Sequence, residues 1–167
     1  MMVEPYLGDD SADERWRGWS YLGDRYVCPL ADDDRTCHRQ ANALYDSQDE
    51  TELRGLAAVG HRCAFVRLMQ LLVEQDRVDD LRQMALQGDG RAEVTLLEYL
   101  HHHGDRDGLR REARGLPRAN LYLAELLADQ GDLKDALAVL ARAESDADPE
   151  HTHAVRSLAL RLGRRAT

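Results

Sequence analysis

The chain overlays on itself. Residues 48–64, QDETELRGLAAVGHRCA, match 76–92, DRVDDLRQMALQGDGRA, at an offset of 28, which sets Leu53 on Leu81, Arg54 on Arg82, Gly60 on Gly88 and Ala64 on Ala92. The same offset carries Leu81 and Arg82 to Leu109 and Arg110, and a step of 27 carries Gly104 to Gly131. A fixed period in this range is the signature of stacked supersecondary units, none of which buries its apolar face alone. What the unit is reads most clearly at 121–143, LYLAELLADQGDLKDALAVLARA. Leu123, Leu126 and Leu127 recur at helical spacing before Gln130-Gly131-Asp132, and Leu133, Ala136, Leu137 and Leu140 do so after it. Gly131 ends the first helix, since only glycine takes a left-handed conformation without penalty. Asp132 then offers a side-chain oxygen to the free amides of the second. The unit is a helical hairpin.

Residues 117–150 also resemble a tetratricopeptide repeat. Leu123, Ala124 and Leu127 stand at the large, small and large positions of that motif's first helix, and Gly131 stands at its turn. Ala136, Leu140 and Ala143 fall at its second-helix positions, and Pro149 lies beside its closing proline. The earlier units are shorter than the family's length of about 34 residues and keep the turn and the second-helix leucine. Self-match and resemblance together imply an all-α protein, a right-handed α-solenoid of about four helical hairpins. An aromatic N-terminal cap helix and a C-terminal capping helix complete it. The resemblance implies a binding scaffold and brings no catalytic residue with it.

The family's inner-wall spacing, carried through the repeat register, implies a concave groove. Its first two units contribute Arg35, His38, Asn42, Tyr45 and Asp46, then Cys63, Val66, Gln70, Val73 and Glu74. The next two contribute Arg91, Val94, Glu98, His101 and His102, then Arg118, Leu121, Glu125, Ala128 and Asp129. Arginines mark helix starts, apolar residues follow a turn later, and acids gather toward the ends. Such a wall suits a partner segment with basic and apolar side chains. The alternatives are a wall that is only solvated, or one filled by the chain's own N-terminal arm.

The helices expected are 34–46 with 49–58, 62–75 with 77–86, 90–103 with 105–114, and 118–130 with 132–144. A closing helix near 149–162 has Ala154, Val155, Leu158, Ala159 and Leu162 on one side, shielding the last hairpin. Arg156, Arg161, Arg164 and Arg165 gather toward its C-terminal end, where the helix dipole favours cations; the basic tail is otherwise a contact for an acidic partner. Three segments of one domain follow: an aromatic arm or cap (1–35), the hairpins (36–148), and the closing helix with its tail (149–167).

Residues 1–35 differ in kind, because five of the nine aromatics (Tyr6, Trp16, Trp19, Tyr21, Tyr26) fall within the first 26 residues. Ser11-Ala12-Asp13-Glu14 forms a capping box that starts a helix near Ala12. The arm reads as the atypical end unit that solenoids need, or as an aromatic recognition arm. Cys28-Pro29-Leu30 breaks its helix. The acidic run Asp32-Asp33-Asp34 suits the positive end of the next, and it lacks the glycine and alternating oxygens of a calcium loop.

Composition narrows the classes. With 167 residues the chain is long enough to bury one core, and the few aromatics leave that core to Leu, Ala and Val. A formal charge of −9 argues against nucleic acid as a partner. Lys134 is the sole lysine beside 21 arginines, which reads as base-composition bias in the gene. No stretch approaches the ~20 apolar residues of a membrane span. The acidic N-terminus lacks the pattern of a secretory signal, so the expectation is a cytoplasmic protein with reduced cysteines.

Chemistry is sparse. Cys28, Cys37, His38, His61 and Cys63 are the candidate zinc ligands, since zinc takes thiolate and imidazole donors in tetrahedral array. No Cys-x-x-Cys knuckle supports them, and buried cysteine commonly serves as a small hydrophobe. His101-His102-His103 close a helix, where imidazolium is stabilised. No phosphate loop, dinucleotide turn or nucleophile elbow appears, so no cofactor and no catalytic residue is expected. The reading is a non-enzymatic protein-protein interaction module, an adaptor or regulator, with self-association left open. The competing reading is a small enzyme or ligand-binding protein whose pocket, between arm and first hairpins, is lined by Trp16, Trp19, Tyr45 and His38.

Overall fold

A computed structural model describes residues 34–146 and 149–164, with side chains from 39 to 144 and from 151 to 164. The N-terminal arm, its capping box, its aromatics and Arg165 lie outside the described residues. Within them the chain is all-helical: α1 (Asp34–Asp46), α2 (Glu50–Ala58), α3 (Arg62–Glu74), α4 (Val78–Leu86), α5 (Gly90–His102), α6 (Arg106–Glu112), α7 (Ala119–Asp129), α8 (Leu133–Asp146) and α9 (Pro149–Gly163). These agree with the expected helices to within two residues. None is long and apolar enough to cross a membrane.

Six of the connections hold three residues each, and all six have one geometry. The middle residue is left-handed: Gln48 (φ 56°), Gly60 (96°), Asp76 (56°), Gly88 (94°), Gly104 (66°) and Gly131 (88°). Its amide donates to the carbonyl three residues back at 2.9–3.0 Å, and the next amide donates to the carbonyl five back at 2.8–3.1 Å. That pair of bonds is the Schellman motif, which satisfies carbonyls a helix end leaves open. The third residue then starts the following helix. Asp49 accepts from the Glu52 amide at 3.1 Å and Asp105 from the Gly108 amide at 2.7 Å. Asp89 accepts from the Arg91 and Ala92 amides at 3.0 and 3.2 Å. Asp132, expected to cap α8 with its side chain, pairs that carboxylate with Arg106 at 2.7 Å, while its backbone carbonyl receives the Ala136 amide.

The connection between α6 and α7, residues 113–118, departs from this pattern. The buried Glu112 accepts the Gly115 and Leu116 amides on its carbonyl, and Pro117 follows.

Contacts divide the chain into two compact units, one ending at Thr95 and one beginning at Leu96, so the boundary falls inside α5. In the first, α1 and α2 both pack on α3, α1 also touches α2, and α3 packs on α4. In the second, α6 packs on α7, α7 on α8, and α8 on α9, which also reaches α7. Residues at equivalent offsets are closed from solvent alike. Leu53, Leu81 and Leu109 are each 0 % exposed, as are Ala64, Ala92 and Ala119, whose small side chains let helix backbones approach. Ion pairs tie neighbouring turns together within each unit. Glu50, at the start of α2, accepts from Arg54 at 2.6 Å and from Arg77, at the start of α4, at 3.1 Å. The Arg77 bond holds the Glu50 carboxyl below its ordinary range, assisted by Arg54. In the second unit the corresponding bond joins Arg106 to Asp132.

The turn geometry makes a prediction in both directions. Exposed Gln48 carries the left-handed penalty that glycine avoids, so Gln48→Gly stabilises the chain by about 0.5–1 kcal/mol. A methyl added at Gly131 meets nothing within 4 Å, so Gly131→Ala destabilises by about 1 kcal/mol through backbone conformation alone. Urea melts of the two variants check both signs. Equal midpoints would contradict the role given to the left-handed residue.

Candidate functional site

In the first unit, four of the expected groove residues meet on a buried arginine. Arg67 lies mid-way along α3 and is 9 % exposed, so its guanidinium must find partners inside the protein. Its Nε donates to Asn42 Oδ1 at 2.8 Å, and Nη1 donates to Gln70 Oε1 at 2.5 Å. Gln70 Nε2 passes the chain on to Glu74 Oε1 at 2.9 Å, and the Tyr45 hydroxyl donates to the other Glu74 oxygen. The guanidinium carbon sits 5.2 Å from the Tyr45 ring centroid. Burial lowers the Arg67 pKa, and burial with the Glu74 bond raises that of Tyr45. Asn42, Tyr45, Arg67, Gln70 and Glu74 therefore close the seam between α1 and α3 with one another's hydrogen bonds. Farther along the unit, Arg91 stacks 3.8 Å over the buried Phe65 ring.

The second unit is open where the first is closed. Between α7 and α9 runs a cleft in two chambers. The larger, about 320 Å³, is lined by Leu121, Tyr122, Glu125, Ala154, Ser157, Leu158 and Arg161. The smaller, about 200 Å³, is lined by His101, Glu125, Asp129, Arg161 and Leu162. Glu125 and Arg161 belong to both, and Arg161 Nη2 donates to Glu125 Oε1 at 2.5 Å, so the two chambers share this ion pair. The spacing explains the lining. Leu121, Glu125 and Asp129 follow one another at four-residue steps on α7, as Ala154, Ser157, Leu158 and Arg161 do at steps of three and four on α9. His101, in the last turn of α5, sets its ring edge-on to Tyr122 at 6.2 Å, and its Nε2 is buried with no hydrogen-bond partner among the described residues.

The remaining expected residues are placed as follows. Glu98, one turn before His101, is half-buried. Burial alone pushes its carboxyl up from 4.5 to about 7. His102 is exposed and edge-on to His103, and Arg118 is exposed at the start of α7. The side chains of Arg35, Cys37 and His38 lie outside the described residues, as do Cys28, Trp16 and Trp19. Of the zinc candidates within them, Cys63 is buried in α3 and His61 precedes that helix. Among the described residues no three His, Cys, Asp or Glu side chains are arranged to hold a metal ion.

Two residues of these clusters escape a reading by repeat register. Arg67 is signalled in the sequence as a lone cation inside the apolar run of α3, RCAFVRLMQLLVE. Arg161, grouped by sequence with the cations of the α9 end, instead reaches across to α7, and Arg156 reaches Glu144 on α8. Compared with protein-family models, with curated proteins and with solved structures, the chain matches none.

The Glu98 environment yields a pH dependence with a definite sign. Its folded pKa, about 7, stands above the ordinary 4.5, so the folded chain binds the extra proton between those values. This stabilising contribution is complete below pH 4.5 and is lost as pH rises through about 7. Glu98→Gln therefore gains stability over the parent chain at pH 8 and gains little at pH 4.5, by urea denaturation at each pH. An equal difference at both would contradict the burial of this carboxyl.

Proposed function

We propose that the protein is a non-enzymatic interaction module, a tetratricopeptide-like solenoid of helical hairpins whose inner wall binds a segment of another protein. The observation that carries this reading is the α7–α9 cleft. Leu121, Glu125 and Asp129, three of the inner-wall positions expected from the family spacing, line it together with His101. Its larger chamber offers aliphatic and aromatic surface and its smaller one acidic side chains, the combination a basic and apolar segment requires. Further support comes from the first unit, where the first helices of neighbouring hairpins, α1 and α3, touch, and from the second, where α7 touches the closing helix α9. Recurrence of one turn geometry along the chain supports the same architecture. The acids of the cleft are in this reading recognition groups; in the seam of the first unit, polar side chains serve cohesion between helices.

The test is selection from a random peptide library on the immobilised full chain, followed by fluorescence anisotropy with the selected peptides. Peptides enriched in basic and aliphatic residues are expected. The double variant Glu125→Ala/Asp129→Ala is expected to bind them about tenfold more weakly, a loss of about 1.4 kcal/mol. Undiminished binding by the double variant would remove the cleft from the account.

A further inference from the structure

We infer that the Glu125–Arg161 ion pair is a built-in competitor for the partner, displaced by an arginine or lysine side chain of a segment that occupies both chambers at once. The inference rests on the cleft reading above and specifies its ligand. Three observations carry it. The first is position: both residues line both chambers, so a single occupant of the whole cleft meets this pair. The second is exchangeability. The side chains are 57 % and 41 % exposed and a single contact, Nη2 to Oε1 at 2.5 Å, joins them. Exposed pairs of this kind contribute little to stability and give way readily to an equivalent partner.

The third is complementarity. With Arg161 swung away, the smaller chamber presents the carboxylates of Glu125 and Asp129, one helical turn apart. Both carboxylates accept hydrogen bonds from a cation. A guanidinium that engages two carboxylates gains the geometry a single contact lacks. The chamber's 200 Å³ corresponds to about six or seven water molecules at ~30 Å³ each, ample for a guanidinium and its first methylenes. The neighbouring aliphatic side chain of the segment enters the larger chamber, against Leu121, Tyr122, Ala154 and Leu158. Arg161, released, is free to meet a carboxylate or carbonyl of the same segment. The partner is therefore a segment with a basic residue beside an aliphatic one, and the ion pair sets a threshold against segments that lack the cation.

The experiment is an NMR titration of the full chain with acetyl-Leu-Arg-Leu-amide, and with acetyl-Leu-Gln-Leu-amide as the neutral counterpart. The arginine peptide is expected to shift the amides of Leu121, Glu125, Ser157 and Arg161 saturably, and the glutamine peptide to leave them unmoved at equal concentration. The Arg161 guanidinium resonances should move toward those of free arginine as peptide is added, which mere charge repulsion does not produce. Arg161→Ala, and Arg161→Gln as the variant that keeps the stem's packing, should each bind the arginine peptide about two- to fivefold more tightly, as release of an exposed ion pair allows. Glu125→Gln should abolish the preference for arginine over glutamine. If the arginine peptide shifts the cleft amides but both Arg161 variants bind it no better, the competitor is overturned while the cleft reading stands. If no variant shows peptide-dependent shifts in the cleft, both fall.

Discussion

The structure depends on one residue in each three-residue connection standing in the left-handed region. That residue turns the chain so that two carbonyls of the finished helix receive amides from the connection. The residue after it already serves as the start of the next helix. A helix end and a helix beginning are thereby satisfied within three residues, and no loop intervenes to let neighbouring helices drift apart. In the first unit helices joined this way pack on one another, α1 on α2, α2 on α3 and α3 on α4, and Leu53 and Leu81 are closed from solvent there, as Leu109 is in the second. Where the connection lengthens, between α6 and α7, the backbone carbonyl of the buried Glu112 takes the Gly115 and Leu116 amides, and Pro117 follows.

The four polar positions Asn42, Gln70, Glu98 and Glu125 show how the same register serves different ends. They follow one another at steps of 28, 28 and 27. Asn42 and Gln70 are amides, and each accepts from Arg67, so the pair converts a buried cation into cohesion between α1 and α3. Glu98 is an acid held against water's preference, with its carboxyl raised by burial. Glu125 faces a cleft and is held by an exposed arginine. Amides suit a closed seam because they both donate and accept without a charge to desolvate; carboxylates suit a surface that waits for a cation. The amides belong to the first unit and its sealed seam, and the acids to the second, which holds the cleft.

Helix positions were legible in the sequence because leucine periodicity and glycine turns are local signals. Gln48 and Asp76 were not legible as turn residues, since neither is glycine, although the offset of 28 aligns them with each other and with Gly104. The inner-wall register names Asn42, Tyr45, Gln70 and Glu74 as groove residues, and the structure joins their side chains in one hydrogen-bonded cluster. The register missed Arg67, the group they surround, because a cation inside an apolar helix carries no sign of whether it snorkels outward or is held within. Arg161 was visible only as one of several arginines near a helix end, and nothing local to α9 pointed to a carboxylate on α7. Contacts between distant helices are tertiary facts, and the burial that raises Glu98 belongs with them.

Hydrogen exchange read by mass spectrometry, on the full chain with and without a saturating library-selected peptide, locates the binding surface. If the cleft is the binding surface, added protection concentrates in segments 121–129 of α7 and 154–162 of α9 and leaves α2 and α4 as they were. Protection confined to α2 and α4, or none in α7 and α9 at saturation, would contradict it.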